Sequence, residues 1–151
     1  GNPVAVVVDQ TADEIKHICS AIGVNIVQLH GTIAKQQEYL LPRYLQRIYV
    51  CSVNYDGTVV DSVSEHLEVE RDFLLFDGIN AGSGQTFNWQ NFVPQTKFRW
   101  FLSGGLSPNN VIDAVKCLHP YAVDVSSGVE NSNGSKDKQL IHNFINKAKN
   151  L

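Results

Sequence analysis

The chain has 151 residues, of which 43% are hydrophobic and 18% are charged, and its formal net charge is −3 at pH 7. This length suffices for one domain with a sizeable core, and the composition is that of an ordinary soluble globular protein. The weakly acidic charge and the absence of a basic run argue against a nucleic-acid partner. No apolar stretch approaches the roughly 18 residues that span a bilayer, and no signal peptide is visible.

The cysteines indicate a reducing compartment. Cys19, Cys51 and Cys117 are odd in number and lack CxxC spacing, so we interpret them as free thiols rather than as a disulfide framework or a metal site. We therefore expect a cytoplasmic protein without a metal. The chain contains no methionine and begins Gly1-Asn2-Pro3, which is typical of a processed chain or a fragment.

Strand and helix patterns alternate along the chain. The β-branched run at residues 4–8 predicts a parallel strand buried on both faces. Thr11 then caps a helix at 12–22, whose apolar face comprises Ile15, Ile18, Cys19 and Ile22. Further strands are predicted at 26–29, 44–53, 73–76, 99–102 and 121–125. Further helices are predicted at 33–41, 87–92, 108–117 and 136–149, and residues 54–70 are predicted to be a loop with a short helix.

This alternation gives six βα units of about 25 residues each and predicts a parallel sheet in an α/β fold. A complete TIM (β/α)8 barrel needs about 250 residues. We therefore expect residues 1–151 to be a single, partial barrel domain in which the first two units are missing. Its sheet would have two unpaired edges, so the missing N-terminal units would be needed to close the barrel.

Two Gly-rich turns follow successive predicted strands. The first contains Gly104 and Gly105, and the second contains Ser126, Ser127 and Gly128. Glycine turns let backbone N–H groups approach an anion. In a (β/α)8 barrel the loops after strands 7 and 8 bind phosphate at the C-terminal face, so the ordered pair predicts a phosphate site.

Several motifs occur together in a recognisable order. They are Val-Gln-Leu-His-Gly at 27–31, Leu-Leu-Phe-Asp at 74–77, Gly-Ser-Gly-Gln-Thr-Phe-Asn-Trp at 82–89, Leu-Ser-Gly-Gly-Leu-Ser-Pro-Asn-Asn-Val at 102–111, Val-Asp-Val-Ser-Ser-Gly-Val-Glu at 123–130 and Gly-Ser-Lys-Asp at 134–137. With these motifs the chain resembles the phosphoribosylanthranilate isomerase family of tryptophan biosynthesis. The resemblance extends from the family's third strand to its last helix.

The resemblance implies an Amadori rearrangement of N-(5-phosphoribosyl)anthranilate to 1-(2-carboxyphenylamino)-1-deoxyribulose 5-phosphate without a cofactor. An acid opens the furanose ring to a Schiff base, and a base then removes the C2 proton. The family's acid matches Asp77, and a substrate-binding aspartate matches Asp124. Gln28 and His30, which end the second predicted strand, are further candidates for substrate binding.

The family's base is a cysteine in a Lys-Ile-Cys-Gly-type motif on its first strand, and that motif is absent here. The arginine that follows the family's second strand is absent too. We therefore expect the isolated chain to be inactive. A rival hypothesis is a non-catalytic barrel fragment that binds a phosphate ligand. The upstream reading frame would discriminate, since a Lys-Ile-Cys-Gly motif there would favour the enzyme.

Each candidate residue also has a structural alternative. Asp77 could simply cap backbone N–H groups at the start of a loop. If Asp77 is instead the general acid, the apolar end of its strand would raise the pKa of its carboxyl group. Asp124 could be an interior aspartate that is hydrogen-bonded to a neighbour. The glycines could be ordinary turn residues, and His30 could be structural. Trp89 is expected to pack in the core and to support the loop at 82–84.

Overall fold

The computed structural model describes residues 1–79 and 85–149. Among these residues, six strands form one sheet in the order β1-β2-β3-β4-β5-β6. The strands are β1 (Ala5–Val7), β2 (Ile26–Leu29), β3 (Gln46–Val53), β4 (Phe73–Gly78), β5 (Arg99–Leu102) and β6 (Ala122–Val123). Pairing is parallel between β1 and β2, between β2 and β3, and between β5 and β6. The chain is therefore an α/β protein with consecutive parallel strands, as the alternation predicts.

The helices lie between the strands and after the last one. They are α1 (Ala12–Ile22), α2 (Thr32–Gln36), α3 (Val111–Leu118) and α4 (Lys138–Lys149). Two 3₁₀ turns, Glu38–Leu40 and Ser127–Val129, complete the helical structure of the described part. Over that part, no helix combines the length and the apolarity needed to cross a membrane.

The chain divides into two compact units. The first unit consists of Gly1–Val50, Ser62–Leu75 and Lys97–Arg99, and the second of Cys51–Asp61, Phe76–Thr96 and Trp100–Leu151. Strands β3, β4 and β5 contribute residues to both units.

In the first unit, local signals fix helix α1. The Thr11 hydroxyl accepts a hydrogen bond from the Glu14 N–H, and the Glu14 carboxylate accepts one from the Thr11 N–H at 2.7 Å. This reciprocal pair satisfies two N–H groups that the first turn leaves without helical partners. Gly23 ends the helix in the left-handed region at φ 68°, which glycine adopts without strain.

A buried cluster of charges also lies in the first unit. Arg47 donates to both Asp72, with Nη2 to Oδ2 at 2.7 Å, and Glu38, with Nη1 to Oε2 at 2.8 Å, and all three residues are 3% exposed or less. Burial opposes the charge on Asp72, but hydrogen bonds from Arg71, Arg47 and backbone N–H groups outweigh it and lower the pKa of this carboxyl to about 2. The aspartate is thus held ionised inside the unit.

In the second unit, aromatic rings form the core beside strand β4. Phe76, Phe87, Phe92 and Trp100 meet edge to face, with ring centroids 5.0 to 5.9 Å apart. This is the geometry that aromatic pairs prefer. The cluster ties the segment after residue 85 to strands β4 and β5.

The predicted helix at 87–92 is wrong, and the chain forms turns there. The Asn88 side chain accepts from the Gln90 N–H at 3.0 Å, and the Asn88 carbonyl accepts from the Asn91 N–H at 3.3 Å. Asparagine that bonds to the backbone in this way competes with helix formation. The packing of Phe87 on Phe92 holds the turns in place.

Three other predicted helices are shorter than expected, and the last of them begins at Lys138 rather than at residue 136. The helix at 33–41 breaks after Gln36 into a 3₁₀ turn, because Glu38 enters the buried cluster with Arg47. The helix at 108–117 begins at Val111, because residues 107–110 form a separate turn. Residues 54–70, all of which the structure describes, contain turns rather than a short helix.

Burial also differs from prediction at the first strand and first helix. Val4, Val6 and Val8 are 39%, 60% and 44% exposed, so β1 is buried on one face and not on both. The side chains alternate between faces with a period of two, and only Ala5 and Val7 face the core. In α1, Ile15 and Cys19 are buried as expected, whereas Ile22 at the last position is 60% exposed.

We expect Asp72 to make the free energy of unfolding depend on pH in the acid range. Its folded-state pKa of about 2 lies below the ~3.9 of a free aspartate. The stabilisation is therefore complete above pH ~4 and is lost as the pH falls towards 2, by about 2 kcal/mol. Asp72→Asn should flatten this dependence and cost about 3–5 kcal/mol near pH 7, since it leaves Arg47 buried with less neutralising charge.

Urea unfolding from pH 2 to pH 7 measures both effects. The matched control is Asp9→Asn, which removes an exposed carboxylate and should keep the wild-type profile. A pH profile of Asp72→Asn as steep as that of the wild type would contradict the prediction.

Candidate active site

The predicted acid lies at the carboxyl end of strand β4, in the second unit. Asp77 is half-buried, and it is the next-to-last residue of the strand. Gly78 follows it, and the Ile79 N–H donates to the Val53 carbonyl at 2.9 Å, so the strand end is held against the end of β3. The loop glycines predicted at 82–84 lie outside the described residues.

The first Gly turn lies directly against Asp77. The Ser103 N–H donates to the Phe76 carbonyl at 2.8 Å, which sets the end of β5 beside the end of β4. Gly104 has φ 92°, and a Cβ there would lie 2.7 Å from the Gly78 nitrogen and 3.2 Å from Asp77 Oδ1. Both the backbone angle and the lack of space therefore require glycine at this position.

Gly105 is confined in the same way by the loop that follows β4. It has φ 67°, and a Cβ would lie 2.5 Å from the Gln85 carbonyl oxygen and 2.9 Å from the Thr86 nitrogen. The backbone of the first turn thus contacts both the end of β4 and the segment at residues 85 and 86. Their proposed role in binding an anion stays a prediction.

The second Gly turn packs against the first. After β6 the chain enters the 3₁₀ turn Ser127–Val129, with Ser126 before it. A Cβ on Gly128 would overlap the Leu106 carbonyl oxygen of the first turn. The N–H groups of Ser127 and Gly128 begin the 3₁₀ turn, and the first N–H groups of such a turn have no acceptor within it.

Asp124 connects the two turns through a serine. Its Oδ2 accepts from the Ser103 hydroxyl at 3.0 Å, and its N–H donates to the Leu102 carbonyl at 2.8 Å. Asp124 is half-buried and lies just after β6, which ends at Val123 rather than at the predicted residue 125. This is the hydrogen-bonded interior aspartate that the structural alternative expects, and its Oδ1 still has acceptor capacity.

Two polar residues hold the turns from outside, and sequence reasoning assigned them no role. Asn110 bonds to the first turn, with its Oδ1 2.8 Å from the Ser107 nitrogen and its Nδ2 2.9 Å from the Gly105 carbonyl. Lys136 Nζ donates to the Ser126 carbonyl at 2.9 Å and to the Glu130 carboxylate at 2.5 Å. The only signal in the sequence was that Asn110 belongs to the motif at 102–111 and Lys136 to the motif at 134–137.

The remaining predicted residues do not join this group. Gln28 is half-buried in β2, where it pairs with Ile48, and His30 is exposed after the strand, with its N–H donating to the Val7 carbonyl at 2.9 Å. Both belong to the first unit. Trp89 is half-buried in the second unit, and its indole N–H has no hydrogen-bond partner within residues 1–79 and 85–149.

None of the three cysteines forms a disulfide, and none lies at the end of β4, β5 or β6. Cys19 in α1 and Cys51 in β3 are buried, and Cys117 is exposed in α3. Burial raises the pKa of the Cys19 thiol, which disfavours the thiolate. In the described part of the chain, no group of three or more His, Cys, Asp or Glu side chains is arranged to hold a metal ion.

Comparison with known proteins gives a consistent result. The model of the N-(5'-phosphoribosyl)anthranilate (PRA) isomerase family matches residues 1–147. An N-(5'-phosphoribosyl)anthranilate isomerase of Chlamydia felis is 39% identical over 150 residues, which are 99% of this chain and 71% of that protein. A chloroplastic relative from Arabidopsis thaliana is 35% identical over 99% of this chain and 56% of its own length.

Solved structures agree with the sequences. The phosphoribosyl anthranilate isomerase of Thermotoga maritima has a TM-score of 0.77 and 35% identity, covering 98% of this chain and 73% of that one. Another isomerase, in complex with reduced 1-(o-carboxyphenylamino)-1-deoxyribulose 5-phosphate, has a TM-score of 0.72 and 32% identity, covering 98% and 71%. That the chain starts at the family's third strand and lacks two barrel units stays a prediction. The chain belongs to the N-(5'-phosphoribosyl)anthranilate isomerase family.

Proposed function

We propose that the second unit carries the active site for isomerisation of N-(5'-phosphoribosyl)anthranilate to 1-(o-carboxyphenylamino)-1-deoxyribulose 5-phosphate. The observation that carries the proposal is the packing of the first Gly turn between Asp77 and the second Gly turn. Gly104 lies against the Asp77 carboxylate, and Gly128 lies against the first turn. A carboxyl group and two sets of backbone N–H donors are the groups that a phosphorylated sugar needs for binding and ring opening.

Asp77 is proposed as the general acid. Protonation of the furanose ring oxygen lets the C1–O bond break, and the anthranilate nitrogen supplies the electron pair that forms the Schiff base. Loss of the C2 proton gives an enolamine, and tautomerisation of this intermediate gives the ketone product. All atoms of the substrate remain in the product, so the reaction needs neither an oxidant nor a cofactor.

The other predicted residues are proposed to bind the substrate. The Gly turns would hold the 5'-phosphate with the N–H groups of Gly104, Gly105, Ser127 and Gly128, and the Ser126 hydroxyl would line the same place. Asp124, with one oxygen bonded to Ser103, would accept a substrate O–H or N–H at the other. Gln28 and His30 remain substrate-binding proposals in the first unit.

The base is proposed to be missing from this chain, because the family's Lys-Ile-Cys-Gly-type motif is absent from its sequence. Cys19 and Cys51 are buried in α1 and β3, and Cys117 lies in α3. This favours, as a second candidate function, a fragment that binds the phosphorylated ligand without turning it over. We also propose the cytoplasm as its location, on the basis of the three free thiols.

The first test compares turnover with binding. Without a cysteine base, kcat of the 151-residue chain should lie ~10²–10⁴-fold below that of the Chlamydia felis relative. The reduced product analogue should nevertheless bind, as measured by calorimetry. Turnover equal to that of the relative would mean that another group of this chain acts as base, and absence of both turnover and binding would refute the proposed site.

The second test separates an acid from a cap at Asp77. Asp77→Asn keeps the size of the side chain and removes the transferable proton, so residual kcat should fall by ~10²-fold or more while the analogue binds within a few-fold of wild type. Asp113→Asn, at an exposed position in α3, is the control. A cap would instead show a stability loss of ~1 kcal/mol with kcat intact, and that result would remove Asp77 from the mechanism.

The third test concerns the contact between the turns. Gly128→Ala would push the second turn away from the Leu106 carbonyl, so we expect analogue binding to weaken about tenfold and stability to fall by about 1–3 kcal/mol. Gly134 has φ 75° with nothing within 4 Å, so Gly134→Ala should cost only about 1–2 kcal/mol of backbone strain and leave binding unchanged. Equal binding by both variants, measured by calorimetry, would contradict a phosphate site at this contact.

A further inference from the structure

Asn110 stands at the N-cap of α3 but does not cap that helix. Asparagine is among the preferred N-cap residues because its side chain accepts a bond from the first helical N–H groups. Here the side chain makes no such bond. Both ends of the carboxamide are used on the Gly turn instead, with Oδ1 accepting from the Ser107 N–H and Nδ2 donating to the Gly105 carbonyl. Helix capping therefore does not explain this side chain.

The two bonds fix the two peptide groups on either side of Leu106. In a trans peptide the C=O and the N–H point in opposite directions, and the described residues contain no cis peptide. Since the Gly105 carbonyl points to Asn110, the Leu106 N–H points away from it. Since the Ser107 N–H points to Asn110, the Leu106 carbonyl points away too, towards the place where Gly128 meets it.

This arrangement determines which N–H groups of the first turn an anion can use. The Ser107 N–H is occupied by Asn110 at 2.8 Å. The N–H groups of Gly104, Gly105 and Leu106 have no acceptor among the described residues. Loss of the carboxamide would free both peptides to rotate, and a carbonyl oxygen could then face the anion.

We propose that Asn110 is a positioning residue for phosphate binding, because its carboxamide orients the Gly105–Leu106 peptide so that the Leu106 N–H faces the phosphate, and holds the Leu106 carbonyl towards Gly128. The inference rests on the proposed function, in which the Gly turns bind the 5'-phosphate. Asn110 acts through the turn and does not itself contact the substrate.

Two substitutions at Asn110 separate the effect of losing its two hydrogen bonds from the effect of adding a negative charge. Asn110→Ala removes both bonds without adding charge. Asn110→Asp keeps the acceptor for the Ser107 N–H but replaces the donor to the Gly105 carbonyl with an oxygen, so that contact becomes repulsive. The controls are Asn109→Ala and Asn109→Asp at the neighbouring exposed position, where Asn109→Asp adds the same charge close to the turn.

The ligands are the reduced product analogue and the same molecule without its phosphate, titrated by calorimetry into the 151-residue chain. Both Asn110 variants should bind the phosphorylated analogue at least about tenfold more weakly, and the phosphate-free analogue as well as wild type does. The Asn109 variants should behave as wild type. Thermal unfolding of each variant measures its stability separately from its affinity.

The other outcomes overturn the inference, and they do so distinguishably. Unchanged affinity in the Asn110 variants, while wild type still prefers the phosphorylated analogue, would leave the phosphate site in place and refute the role of Asn110. An equal loss for both ligands with a lower melting temperature would show a structural role only. Equal affinity of wild type for the two ligands would refute the phosphate site of the proposed function and this inference with it.

Discussion

The site depends on close contact between backbones. Gly128 meets the Leu106 carbonyl, Gly105 meets the backbone of residues 85 and 86, and Gly104 meets Gly78 beside Asp77. In each case a Cβ would occupy space that a neighbouring backbone or carboxylate already fills. The loops after three consecutive strands can therefore approach one another only because these positions are glycine. The Asp77 carboxylate and the N–H donors of the turns lie close together because these three positions have no side chain.

Such backbone contact suits the binding of a phosphate. Backbone N–H groups are dipoles fixed by the fold, so they do not reorganise when the charge arrives. Side chains then serve to hold the backbone in one arrangement. Asn110 and Lys136 bond to the carbonyls of Gly105 and Ser126, and Ser103 bonds to Asp124 between the two turns. The polar side chains around the turns are mostly used on the protein itself.

Local signals made much of the fold predictable. Helix α1 and strands β2 and β5 have the predicted bounds, because capping residues and apolar runs act within a few residues of one another. The helix at 87–92 failed because Asn88 and the Phe87–Phe92 contact favour turns. The charge cluster could not be predicted, because Arg47 is 25 residues from Asp72 and 9 from Glu38. Sequence periodicity carries no information on such a contact.

The candidate site also divides into features that local sequence signals predict and features that they do not. Each Gly turn is a short motif, and both were predicted with Asp77 and Asp124. The structure places these four features in one unit, whereas Gln28 and His30 fall in the other. Asn110 was missed because the predicted helix at 108–117 included it, and only the structure shows that its carboxamide points back to Gly105 and Ser107.

The two units use carboxylates in opposite ways. Asp72 in the first unit is fully buried and receives hydrogen bonds from two arginines and from backbone N–H groups. A carboxylate held so firmly in its charged form can stabilise a fold but cannot exchange a proton near neutral pH. Asp77 and Asp124 in the second unit are half-buried at strand ends. The acid role proposed for Asp77 needs such an environment, because the proton of an acid catalyst must leave and return in every turnover.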